Sequence, residues 1–194
     1  FINNGFNIKY IDINHYFNLN EFKDEKLFVE KLTHAQRKNY KKSKSEKLKF
    51  QKIDNSKFIE AFEIIEINRR ERGYPLRMQR QQIQDIINFK NSTVDFFIVE
   101  NSDNIKIADA MVYKINDEVC QVVYWGHLDK FGRQRPMSLL SIELCKYYKK
   151  AGYKYLDIGP SSELGNISIN LAQFKVDIGC KNISKFTLEF KNKG

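Results

Sequence analysis

The sequence predicts a mixed α+β fold: a central, mostly antiparallel sheet with one parallel strand pair, and helices on both of its faces. Three observations predict it. Apolar residues recur at helical spacing before residue 94 and at strand spacing after it. Next, 94–99, 105–115 and 118–125 read as three strands joined by the short polar turns Asn101-Ser102-Asp103-Asn104 and Asn116-Asp117, an antiparallel meander. Last comes a strand–helix–strand unit. A right-handed crossover through the helix from Pro136 makes strand 153–158 parallel to strand 118–125.

Each element has its own signal. Residues 1–26 are Asn-rich, and Phe6, Ile8 and Tyr10 alternate like a short strand. The stretch 1–27 is expected to be the end of a preceding domain, with the domain proper at 28–194. Thr33-His34-Ala35-Gln36 has capping-box spacing and opens a helix running into RKNYKKSK. Leu48, Phe50 and Ile53 alternate as a short strand. Asp54 or Asn55 caps a helix whose buried face holds Phe58, Phe62 and Ile65, with Ile59 and Ile67 beside it. Gly73 and Pro75 stop it. A helix over 78–89 buries Ile83, Ile86 and Ile87. After the meander, Pro136 suits a first helical turn, where its missing N–H costs nothing. That helix runs to Ala151 and stops at Gly152. A Gly/Pro/Ser loop then leads to a helix over 166–174, and 183–190 is the last strand.

The totals bound the class. The chain has 194 residues, 42% hydrophobic and 29% charged, which suits a soluble globular domain with a real core. No apolar run reaches membrane-span length, and no signal-peptide pattern opens the chain. Three scattered cysteines without a CxxC fit reduced thiols in a cytoplasm. The three histidines lack metal-ligand spacing, so no metal site is expected. The net charge is +9, and the window 31–57 alone carries +8 of it. Such a segment suits a polyanionic partner, whether a nucleic acid, a phosphorylated ligand or a membrane surface, or else it is a solvated helix face.

Three stretches together resemble the acyl-CoA N-acyltransferase (GNAT) fold, and more narrowly its Fem-type, FemAB-like branch. They are the basic helix THAQRKNYKKSK, the run RPMSLLSIELCKYYKKAGYKYLDIG, and NLAQFKVDIG, with a Phe-Lys pair and a Gly four residues after the Lys. The branch includes peptidoglycan aminoacyl transferases. The resemblance covers about residues 28–190 and implies transfer of an acyl group from a thioester or tRNA ester to an amine, in cell-envelope or polysaccharide synthesis. The acceptor would be a small molecule or cell-wall precursor, the donor acyl-CoA or aminoacyl-tRNA. The basic helix would meet the tRNA. Oligomeric state stays open.

The resemblance also implies a site. Phe174 and Lys175 would line the reacting centre, the lysine stabilising negative charge; the other reading of Lys175 is an ordinary charge in a last helical turn. Asp157 ends a strand where ligands bind in such sheets and would act as base or position the amine. Tyr124, at the end of strand 118–125 beside Trp125, would protonate a leaving group or else be a core aromatic. Arg133, Arg135 and Ser138 fall on the donor-phosphate loop, where Pro136 replaces a Gly and deletes an N–H donor. Weak CoA binding is the expectation. Asn166 and Asn170, one helical turn apart in this reading, would contact substrate or cap. The sheet should splay between strands 118–125 and 153–158, where the donor enters. The alternative function is a catalytically idle GNAT-fold module that binds a nucleic acid or other polyanion through 31–57.

Overall fold

The structure, a computed structural model, describes residues 4–89 and 93–190. The strands are β1 (Phe6–Asn18), β2 (Lys49–Ile53), β3 (Val94–Glu100), β4 (Lys106–Lys114), β5 (Val119–His127), β6 (Tyr155–Pro160), β7 (Ser162–Glu163), β8 (Asn166–Ile167) and β9 (Lys181–Phe190). The helices are α1 (Glu25–Lys31), α2 (His34–Ser45), α3 (Phe58–Glu71), α4 (Arg80–Asn88), α5 (Pro136–Lys150) and α6 (Ile169–Asp177).

Seven strands form one mixed sheet in the order β2-β3-β4-β5-β6-β1-β9, and β7 and β8 make a separate hairpin. Among the described residues only β5 and β6 pair in parallel. That is the outcome of the α5 crossover, since a right-handed connection returns the chain in the same direction. The alternation seen at Phe6, Ile8 and Tyr10 belongs to a thirteen-residue strand lying between β6 and β9.

The sheet has a core on each face. On one, Phe97, Val99, Ala110 and Val112 meet Leu140, Leu144 and Tyr148 of α5, with Phe28 of α1, Tyr40 of α2 and Phe174 of α6 at its margins. On the other, Phe96, Ile98 and Met111 meet Phe58, Phe62 and Ile65 of α3 and Ile83 of α4. Helices on both faces are thus observed. Ile59, expected beside the buried face of α3, is instead exposed, and Ile64 takes the buried place. Asp54 does cap, but it caps a short 3-10 turn ahead of α3, accepting from Ser56 N.

The basic segment is less free than its formal charge suggests. Thr33 accepts from Gln36 N and caps α2 as its spacing predicts. Arg37 donates to the carbonyls of Glu30 and Leu32. Lys44 meets Glu25 and Glu143, and Lys52 meets Asp95 at 2.7 Å. Lys38, Lys41 and Lys47 remain exposed.

Candidate functional site

The parallel pair opens into a fork. Val119, Cys120 and Gln121 face Tyr155, Leu156 and Asp157, and the pairing stops there, although β5 continues to His127 and β6 to Pro160. The splay read from the sequence is therefore present. Beyond Gln121 the β6-facing backbone of β5 has no strand partner among the described residues. Against β4, β5 also carries a bulge: Met111 faces Tyr124 while Val112 faces Val122, so Val123 is the extra residue. A bulge bends its strand and re-aims backbone groups.

The β6 limb is held by Lys175. Its ammonium donates to the carbonyls of Ile158 (2.9 Å), Gly159 (2.8 Å) and Pro160 (2.8 Å). Three successive carbonyls converge because the chain curls at Gly159, whose φ of +75° is in the left-handed region. Asp157 fixes the same curl, since its Oδ1 accepts from Gly159 N at 2.7 Å and from Asn14 Nδ2 at 3.1 Å. Lys175 is 3% exposed, so it is no solvated helix-end charge. Burial pulls its pKa down to about 8, which leaves it protonated at neutral pH. All three of its protons are already on carbonyls.

Phe174 stands beside it and touches the other limb, its ring 6.2 Å from that of Trp125. Phe174, Lys175 and Asp157 are thus gathered at the tip of β6. Tyr124 is not with them. It faces α3, edge-on to Phe62 and under the guanidinium of Arg69. Arg133 and Arg135 are exposed in the loop that opens α5. Arg135 is in the left-handed region (φ 60°, ψ 43°) at the N-cap, a strained place for a residue with a Cβ. Ser138 is buried, and its Oγ donates to Gln36 Oε1 of α2 at 3.3 Å, joining the start of α5 to the basic helix.

One reading needs correction. Asn166 is not on α6 but in β8, paired with Glu163, and the helix starts at Ile169 and runs on to Asp177. Asn166 and Asn170 are therefore not one helical turn apart. The turn Leu164-Gly165, both at positive φ, closes the β7–β8 hairpin and delays the helix.

Two groups went unread in the sequence. His15 of β1 is buried, its Nε2 2.7 Å from Ser161 Oγ, and burial together with Lys175 keeps its pKa low. Asp109 of β4 is buried with no partner for either oxygen. A carboxylate in the apolar strand IADAM is a signal that sequence reading can use.

No protein-family profile matches the chain, and no curated protein sequence does. Solved structures do. The crystal structure of FemX superposes with a TM-score of 0.75 at 12% identity, over 93% of this chain and 64% of that one. The C-terminal domain of a putative lysylphosphatidylglycerol synthetase from Agrobacterium fabrum gives 0.70 at 12%, over 96% and 62%. A GNAT family acetyltransferase from Elizabethkingia anophelis with acetyl-CoA bound gives 0.52 at 14%, over 68% and 74%. The chain spans a little under two thirds of the length of the first two. The chain has the GNAT fold, in the form those two chains display.

Proposed function

We propose that this chain is an acyl-transfer domain that seats its donor carbonyl in the fork between β5 and β6. The fork is the observation that carries this reading. An acyl transfer needs donors aimed at the oxygen that becomes negative, in a place partly shielded from water. The unpaired edge of β5 past Gln121, bent by the bulge at Val123, supplies backbone N–H groups there. One such donor contributes about 3 kcal/mol to a transition state of this type.

The start of α5 suits the donor's phosphate. A helix N-terminus favours anions, and Arg133 and Arg135 stand exposed beside it. Pro136 offers no N–H, so a cradle of successive amides around a CoA pyrophosphate is incomplete. The Ser138–Gln36 bond brings the basic helix next to the same loop. Together these favour an aminoacyl-tRNA ester over a CoA thioester. The name of the Agrobacterium protein joins an amino acid to a phospholipid. We extend that class here, to an aminoacyl donor and an amine acceptor among cell-envelope precursors, met on the cytoplasmic side.

In this scheme the neutral acceptor amine attacks the carbonyl carbon, the oxyanion faces β5, the C–O bond then breaks, and the donor's ester oxygen leaves as a hydroxyl carrying the proton that the amine nitrogen gives up. Lys175 acts through position and charge. Its protons are committed to carbonyls 158–160, so it holds the β6 limb in its curl and sets one buried positive charge at the fork. Asp157 is the second support of that limb, and Phe174 with Trp125 shields it.

A thermal-shift comparison of a non-hydrolysable 3′-aminoacylamido-adenosine and CoA tests this. A ligand at about 100 times its Kd stabilises by ~2.7 kcal/mol. The adenosine analogue should stabilise the protein and CoA should not. Stabilisation by neither would remove the transfer reading.

Exposed Lys38, Lys41 and Lys47 on and after α2 favour a second reading, a polyanion-binding module without catalysis. Binding of deacylated tRNA would then fall steeply with salt, at a log–log slope of roughly −0.7 to −0.9 per phosphate contact. The adenosine analogue would do nothing.

A further inference from the structure

β9 ends the seven-stranded sheet, and among the described residues no strand pairs with its outer side. An edge strand presents a row of unpaired N–H and C=O groups, so folds usually blunt it by shortening, lysines, proline or a bulge. The opposite edge follows that rule: β2 has only five residues, and Lys49 and Lys52 are among them. β9 does not. It has ten residues, KNISKFTLEF, without proline. The register shift beside it comes from an extra residue in β1, Lys9, so β9 itself carries no bulge. Its two lysines are answered within the chain: Lys181 meets Glu21, and Lys185 is opposite Asp12. Ile183, on one face, and Phe186 and Phe190, on the other, are each more than half exposed.

The strand is complementary to itself. Directly opposite residues of an antiparallel pair share a face. A second β9 centred between two residues would therefore set Phe186 and Leu188 against charged positions, whereas a centre on a residue keeps each face with its like. Of the centres from 183 to 188, only 185 and 187 bring a lysine opposite a glutamate. Centre 185 also lays Lys185 on its own copy, and like charges directly opposite repel. Centre 187 has no such clash. It sets Thr187 on Thr187, Phe186 on Leu188, Ser184 on Phe190 and Lys185 on Glu189, each unlike pair made twice by the two-fold axis. The strand behind supports the same register. Asp12 is opposite Lys185, and Lys9 Nζ is 3.8 Å from Glu189, so charge signs alternate across four strands: Asp12, Lys185, then Glu189 and Lys9 of the second copy. On the other face Ile8 is opposite Leu188 and Ile11 opposite Phe186, which makes an apolar row of Ile8, Leu188, then Phe186 and Ile11 of the second copy.

We infer that β9 is the docking edge for a second copy of this chain, paired antiparallel about Thr187. Backbone hydrogen bonds along the edge give the pair its affinity, and the Lys185–Glu189 and Phe186–Leu188 contacts fix its register. The basic window 31–57 includes β2, the far edge of the sheet, so most of the net charge stays away from the junction. A strand junction of this kind is at the small end of specific interfaces, so the pair forms reversibly. The fork is undisturbed, because β1 stands between β6 and β9. The β6 strands of the two copies would lie roughly 24 Å apart across five strand spacings. The inference is independent of the transfer reading.

The test is sedimentation velocity of the chain from about 1 to 300 µM, a range that suits a small interface. The variants are Lys185→Glu, Glu189→Lys and the double exchange, each with its melting curve recorded first. The wild type should pass from monomer to dimer over that range. Each single variant sets like charges opposite one another twice and should lose at least about tenfold in association, and the double exchange should recover most of it. Amide NMR of the wild type at both ends of the range does not depend on any variant folding: the shifts should centre on 184–190. A wild type that stays monomeric at the highest concentration overturns the inference. So do folded single variants that associate as the wild type does, a folded double exchange that recovers nothing, or a dimer whose amide shifts lie away from β9.

Discussion

Lys175 Nζ and the carbonyl oxygen of Gly159 are 2.8 Å apart, and this bond ties the last turn of α6 to the tip of β6. With its neighbours at Ile158 and Pro160 it turns a helix-end lysine into an internal brace. The brace sits where β6 leaves β5, so fold and fork share one residue.

Lys175→Met should therefore be strongly destabilising. A solvated charge at a helix end is worth only about 0.3–1 kcal/mol. Here three carbonyls lose their donor, and each unmet buried group costs about 1–3 kcal/mol. Urea denaturation should show a loss of at least ~3 kcal/mol. A loss below ~1 kcal/mol would mean that the ammonium does not hold these carbonyls.

Gly159→Ala tests the curl separately. A Cβ at this glycine meets no atom within 4 Å, and φ is +75°, so the cost is backbone conformation alone. That cost is about 1–2 kcal/mol. The melting temperature should drop by roughly 2–4 °C for each kcal/mol. An unchanged melting temperature would place this residue outside the left-handed region.

Asp109→Asn should stabilise the chain near neutral pH. The Asp109 carboxyl is raised well above its usual 3.8, so the folded state binds a proton that the unfolded chain has already lost. Stability from this group thus falls as pH rises above ~4, towards its folded pKa. The asparagine has no such dependence. The stability gap in favour of the variant should open between acid and neutral pH, and a gap that closes over that range would reverse the sign of the argument.

CoA should bind weakly. Pro136 removes an amide at the first turn of α5, and Arg135 before it is in a strained conformation. Calorimetry should give at best millimolar affinity, about −4 kcal/mol. Micromolar binding would move the donor to a thioester while leaving the fork in place.

The sheet and its crossover were legible because period and punctuation agree there: short polar turns in the meander, Pro136 at one end of α5 and Gly152 at the other. The start of α6 was not, because Leu164 takes a left-handed conformation that its identity does not announce, and only Gly165 signals the hairpin. The length of β1 was hidden by register shifts between Ile8 and Tyr10 and between Asn14 and Tyr16, which break the alternation. The pairing of Lys44 and Lys52 in the segment 31–57 was not legible, since their partners Glu143 and Asp95 come from far along the chain. Phe174, Lys175 and Asp157 were singled out, but not how they meet, because the curl at Gly159 makes that meeting and no motif spells it. Asp109 went unread among apolar neighbours.

The central claim is that the open edge of β5 receives the donor's carbonyl. The most direct measurement is the amide NMR spectrum of the chain, with and without 3′-aminoacylamido-adenosine. Saturable shifts at Val123, Tyr124 and Trp125, with smaller ones at Met137 and Ser138, are the predicted result. Shifts confined to the α2 lysines and their neighbours, with the β5 amides unmoved, would contradict it.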